Sequence, residues 1–126
     1  MSSTPPTVLL IDDDATLLRG LTRAMSNEDL VVLAAVSAAE ATVIMRRTHV
    51  DIVVCDQRMP GMTGLDFLSR LRDEFPHIRA VLLSGHVGDL PIARRIAQEI
   101  GVYCLLNKPC SATQLSLTIK KALECV

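Results

Sequence analysis

The order of residues predicts an α/β domain of (βα)5 type, a doubly wound open sheet of five parallel strands. Two observations carry that reading. Five short apolar runs, Val8 to Ile11, Leu30 to Ala35, Ile52 to Cys55, Arg79 to Leu83 and Val102 to Leu106, are rich in Val, Ile and Leu and mostly lack polar alternation. That is how strands covered on both faces of a parallel sheet read. Each run is followed by a stretch whose apolar residues recur at helical spacing. Parallel strands need crossovers, and right-handed crossovers place helices on both faces of the sheet.

The elements follow in order. Residues 1–6, MSSTPP, lack the basic and apolar regions of a signal peptide and read as a short flexible lead; residues 7–126 form the domain. After the first run, Leu17, Leu21 and Met25 step by four, with Leu18 beside them. After the second, Ala41, Ile44 and Met45 keep one helical face. Leu65, Leu68 and Leu71 step by three; Ile92, Ile96 and Ile100 step by four, as do Leu115, Ile119 and Leu123. Ser37-Ala38-Ala39-Glu40 and Ser111-Ala112-Thr113-Gln114 both fit a capping box. Pro76 and Gly101 stand where the third and fourth helices should stop. The last helix reaches almost to Val126, which leaves no output module within these residues.

Bulk properties narrow the function. The 126 residues suit one core, and 49% hydrophobic residues suffice to fill it. A net charge of -1 speaks against direct binding to nucleic acid or to an anionic membrane surface, which needs a concentrated basic face. No apolar run approaches the roughly 20 residues of a membrane span. A cytoplasmic location is expected. Cys55, Cys104, Cys110 and Cys125 have no C-x-x-C spacing, and His49, His77 and His86 do not complete a zinc pattern, so free thiols are expected.

Ligands of open α/β sheets bind outside the carboxyl ends of the strands. Here the first strand ends in Asp12-Asp13-Asp14, the third in Asp56, the fourth in Ser84, and the fifth runs into Lys108-Pro109. Clustered carboxylates raise one another's pKa unless a cation sits among them. A few carboxylates with open water positions suit Mg²⁺ or Mn²⁺. A metal, an ammonium and a hydroxyl around one carboxylate describe phosphoryl transfer to a carboxylate nucleophile. Taken singly, Asp14 reads equally well as a helix N-cap and Ser84-Gly85 as a turn.

The segments VLLIDDD, IVVCDQRMPGMTG, VLLSG and LLNKP, in this order and spacing, resemble the receiver domain of two-component response regulators over nearly the whole chain. The resemblance implies a flavodoxin-like sheet of order 2-1-3-4-5 and a signalling phosphoacceptor rather than an enzyme. It implies that Asp56 is phosphorylated by a sensor histidine kinase or a phosphotransfer protein. Asp12, Asp13, Asp56 and the backbone carbonyl of Arg58 would hold the metal, Asp13 directly and Asp12 largely through water. Ser84 and Lys108 would contact the phosphoryl group, with a cis bond before Pro109. Arg58 and His86 match positions that flank the mouth of the site and tune hydrolysis; both also read as solvated loop residues. The fourth helix, fifth strand and fifth helix would form the face that signals to an output domain or a downstream protein.

The sequence departs from the family at the switch position three residues before the lysine, commonly Tyr or Phe, where Leu105 stands. Leu105 reads as a half-buried packing residue, and Tyr103 as sharing its face of the strand one pleat away. That departure keeps open a second reading, a pseudo-receiver that binds partners without phosphorylation. A third comes from Asp12-x-Asp14-x-Thr16, which matches the D-x-D-x-T motif of haloacid-dehalogenase-like phosphatases with Asp12 as nucleophile, but leaves Asp56 and MPGMTG unexplained.

Overall fold

The computed structural model describes residues 5–26, 29–85, 91, 95, 98–99 and 101–124. The expected lead (residues 1–4 of it), His86, the loop from 86 to 90, Ile92, Ile96, Ile100 and Cys125 lie outside the described residues.

Five parallel strands form one sheet: β1 (Thr7–Ile11), β2 (Val31–Ala35), β3 (Ile52–Asp56), β4 (Arg79–Ser84) and β5 (Cys104–Asn107), in the order β2-β1-β3-β4-β5. The register pairs Val8 with both Val32 and Ile52, Val54 with Val81, and Leu82 with Leu105. The helices are α1 (Ala15–Met25), α2 (Ala38–Arg47), α3 (Gly64–Glu74) and a C-terminal helix (Ala112–Glu124). Pro91, Arg95, Gln98 and Glu99 are also helical. Gly101 follows at φ 78, the left-handed conformation that glycine adopts without a Cβ penalty at a helix end.

Alternation of side chains along each strand splits the core in two. Leu9, Ile11, Val53, Cys55, Ala80 and Leu82 face Ala41 and Met45 of α2 and Leu65, Phe67, Leu68 and Leu71 of α3. Val8, Leu10, Ile52, Val54, Val81 and Leu83 face Leu18 and Met25 of α1 and Leu115, Ile119 and Ala122 of the C-terminal helix. The sheet is thus covered on both faces. All five residues of β3 are buried, because it is the central strand, whereas the edge strands β2 and β5 are largely half-covered.

The serine half of both expected capping boxes forms: Ser37 Oγ accepts from Glu40 N–H and Ser111 Oγ from Gln114 N–H, each at 3.1 Å. The fifth strand is displaced from its expected span, Val102 to Leu106, and begins at Cys104. Lys108 N–H donates to Ser84 O at 2.8 Å and carries the pairing further along the chain. Tyr103 therefore sits in a bend before β5, 41% exposed, with its N–H on Ala80 O.

Candidate functional site

The carboxyl ends of β1, β3, β4 and β5 converge on one edge of the sheet. Asp12 directly follows β1, and its N–H donates to Ala35 O, so the backbone is still tied to β2 where the side chain leaves it. Its Oδ1 accepts from Asp14 N–H at 2.9 Å. Asp14 itself points the other way: its Oδ1 accepts from Leu17 N–H and caps α1. Of the three consecutive aspartates, one is thereby assigned to the helix and two are left to the site. Asp13 is exposed, whereas Asp12 and Asp56 are 4% and 6% exposed.

Carboxylate oxygens of Asp12, Asp13 and Asp56 lie within 4.8 Å of one another. Lys108 directly follows β5, and its Nζ stands 3.0 Å from Asp12 Oδ2 and 3.0 Å from Asp56 Oδ1. A single ammonium thus bridges carboxylates of two different strands. Burial pushes the Asp56 carboxyl above its usual range; the Lys108 ammonium and a hydrogen bond from the Arg58 backbone N–H oppose that shift, and the Asp12 charge adds to it. Burial lowers the Lys108 pKa, but hydrogen bonds to Asp12 and Asp56 and their charges prevail, so the ammonium is held above the usual lysine value. Cys55, one residue before Asp56, is buried, and burial together with the Asp56 and Asp12 charges pushes its thiol far up, leaving it an inert core residue.

The other residues singled out in the sequence take the following positions. Ser84 ends β4, is 2% exposed, and its carbonyl accepts from Lys108 N–H. The Lys108–Pro109 peptide is cis. Arg58 is exposed and opens a two-residue antiparallel ribbon, Arg58–Met59 against Met62–Thr63, that the sequence reading did not anticipate. Leu105 is half-buried, packed against the α2–α3 side of the core and paired with Leu82. His86 lies outside the described residues.

Three oxygens from carboxylates, two of them nearly dry, form a donor set for a hard divalent cation. Excess negative charge at one sheet edge, partly neutralised by one lysine, fits Mg²⁺ or Mn²⁺ and an incoming phosphoryl group. Fold and site together define a doubly wound α/β protein with an acidic, lysine-bridged centre at the carboxyl edge of its sheet. Comparison with known proteins gives this class its family. The family model described as "Response regulator receiver domain" matches residues 8–120. The chain is 36% identical over 124 residues to the hydrogenase transcriptional regulatory protein HoxA of Cupriavidus necator and 35% identical over 124 residues to the transcriptional regulatory protein GlrR of Escherichia coli. Each alignment takes in 98% of this chain, but only 25% and 28% of those relatives, so the chain spans about a quarter of their length. Among solved structures, a response regulator receiver domain from Clostridium thermocellum superposes with a TM-score of 0.84 at 32% identity, covering 94% of each chain. The receiver domain of an HD domain-containing protein from Pseudomonas fluorescens gives 0.87 at 27% identity, covering 98% of this chain and 90% of that one. The chain belongs to the response regulator receiver domain family, signalling modules of two-component systems in which an aspartate accepts a phosphoryl group.

Proposed function

We propose that residues 7–126 act as a phosphorylation-controlled receiver whose acceptor is Asp56. The observation that carries this is Lys108 Nζ at 3.0 Å from both Asp12 and Asp56, with Asp13 completing a cluster of three carboxylates. Asp13, Asp56 and the Arg58 carbonyl would hold Mg²⁺ or Mn²⁺, and Asp12 would act through water; the cation would neutralise charge on the phosphoryl oxygens. The chain's own groups then do the rest. An Asp56 oxygen attacks the phosphorus of a phosphohistidine in the partner kinase or phosphotransfer protein. The O–P bond forms, the P–N bond breaks, and the imidazole recovers its nitrogen lone pair. Lys108 moves from carboxylate to phosphoryl oxygen, and the Ser84 hydroxyl donates to another. Arg58 and, by the family likeness alone, His86 would set the lifetime of the acyl phosphate.

The signal leaves through the face that includes β5 and the C-terminal helix. Leu105 has neither ring nor hydroxyl, so the Ser84 contact carries the change, not a rotamer swing at position 105. In a longer protein such as the transcriptional regulators above, the receiver would control an attached output module, in the cytoplasm. In the phosphatase reading of Asp12-x-Asp14-x-Thr16 the acid/base would be Asp14, whose carboxylate is instead engaged in capping α1.

Intact-mass measurement after incubation with acetyl phosphate and Mg²⁺ tests the assignment. One phosphoryl group is expected on the wild type and none on Asp56→Asn. Full labelling of Asp56→Asn would refute Asp56 as acceptor. A wild type that neither labels nor binds Mg²⁺ would favour the pseudo-receiver.

A further inference from the structure

Gln57, the residue after Asp56, has its backbone N–H, its carbonyl and its side-chain oxygen committed to three different places. The N–H donates to Leu83 O at 2.8 Å, extending the β3–β4 ladder one step beyond Asp56. The carbonyl accepts from Gly64 N–H at 2.9 Å, and the side-chain Oε1 accepts from Leu65 N–H at 3.0 Å. Gly64 and Leu65 are the first two residues of α3; the third donor of that turn, Asp66 N–H, goes to Thr63 Oγ1 at 3.1 Å. Helix N-termini leave their first N–H groups without intrahelical partners, and here a single residue seven positions before the helix takes two of them. Leu65 is 5% exposed, which leaves little room for water to replace the Gln57 oxygen.

Two further contacts link this clamp to the acceptor. A Cβ at Gly64 would lie 2.4 Å from Asp56 O, so the start of α3 presses directly on the Asp56 backbone. The loop between the clamped ends carries Arg58, whose N–H bonds the Asp56 carboxylate. Arg58 is joined directly to Gln57, so the clamp made by the Gln57 backbone and side chain bounds the path of the Arg58 peptide past that carboxylate.

We propose that Gln57 is a positioning residue for phosphoryl transfer, its side-chain oxygen pinning α3 to the acceptor strand and so holding the Arg58 backbone at the metal and acceptor site. The inference rests on Asp56 being the acceptor and the Arg58 carbonyl a metal ligand. A residue that only capped α3 would affect stability and nothing else. One that positions the site affects metal affinity in the folded protein, where loss of an outer partner typically costs about 10–100-fold.

The test compares wild type, Gln57→Met, Gln57→Asn and Gln57→Glu at a temperature where amide NMR shows all four folded. Mg²⁺ affinity is read by calorimetric titration, the labelling rate with acetyl phosphate by intact mass, and protection of the Leu65 amide by hydrogen exchange. Gln57→Met has the length but no acceptor, and Gln57→Asn has the amide but lacks the reach. Both are expected to bind Mg²⁺ roughly tenfold more weakly, label more slowly and lose Leu65 protection. Gln57→Glu keeps an oxygen at the right distance and is expected to restore Leu65 protection and the labelling rate. Wild-type Mg²⁺ affinity and labelling in Gln57→Met would overturn the proposal, whatever its melting temperature. Failure of the wild type itself to bind Mg²⁺ or to label would instead overturn the assignment of the site.

Discussion

Replacing Lys108 with Met isolates the electrostatic problem that this site poses in the absence of metal. The substitution keeps the apolar stem and removes the one ammonium that stands 3.0 Å from Asp12 and from Asp56. Side chains of the two carboxylates are only 6% and 8% exposed, so water compensates them poorly. Removing one partner of a buried ion pair costs about 3–5 kcal/mol. The Lys108 side chain is 28% exposed, which screens part of that attraction, so about 2–3 kcal/mol is the expected loss at pH 7.5 without Mg²⁺. At about 4 °C per kcal/mol for a domain of this size, the melting temperature should fall by roughly 8–12 °C. The sign of the pH dependence follows from linkage. Without the lysine, the Asp56 carboxyl loses the ammonium that opposes its burial-driven rise, so its folded-state pKa lies further above the unfolded one and it contributes stability only when protonated. The deficit of the variant is therefore full above that folded value and shrinks as pH falls through it. Urea unfolding of both proteins at pH 7.5 and pH 4.5 measures it. A loss below about 0.5 kcal/mol at pH 7.5, or a deficit that grows on acidification, would refute the reasoning.

Three further outcomes are expected. Asp13→Ala should weaken Mg²⁺ binding by more than roughly tenfold by calorimetry, while unfolding in the absence of metal shifts to slightly higher urea, because one repelling carboxylate is gone. Gly64→Ala should cost about 3 kcal/mol and slow labelling of Asp56, since its Cβ meets Asp56 O at 2.4 Å and Leu82 Cδ1 at 2.8 Å; a thermal melt and the acetyl phosphate assay read the two effects. Thr22→Val should raise stability by about 1 kcal/mol in urea titration, because Thr22 Oγ1 is buried without a hydrogen-bond partner and Val fills the same volume.

The sequence by itself determined the element order, both core faces and the short list of chemical groups. Buried strands such as Ile52–Asp56 announce themselves as unbroken apolar runs, and local caps such as Ser37 and Ser111 act within three residues, so both are readable from adjacent letters. The position of each polar group at a strand end follows from the same pattern, which is why Asp12, Asp13, Asp56, Ser84 and Lys108 stand out without coordinates. Tertiary structure decided what those groups do to one another. Only the sheet order and register bring Lys108 to Asp12 across 96 residues and let one ammonium serve two carboxylates. The sequence left Asp14 between helix cap and site; the structure gives it to the cap of α1 and leaves Asp12 and Asp13 at the site. β5 starts at Cys104 rather than at Val102 because the chain bends at Tyr103, even though its N–H still reaches Ala80 O. Gln57 carried no signal at all in the sequence, since its partners on α3 lie seven and eight residues away across a turn and its partner on β4 further still. Its role exists only where the end of β3 meets the start of α3 and a side-chain oxygen answers a buried N–H.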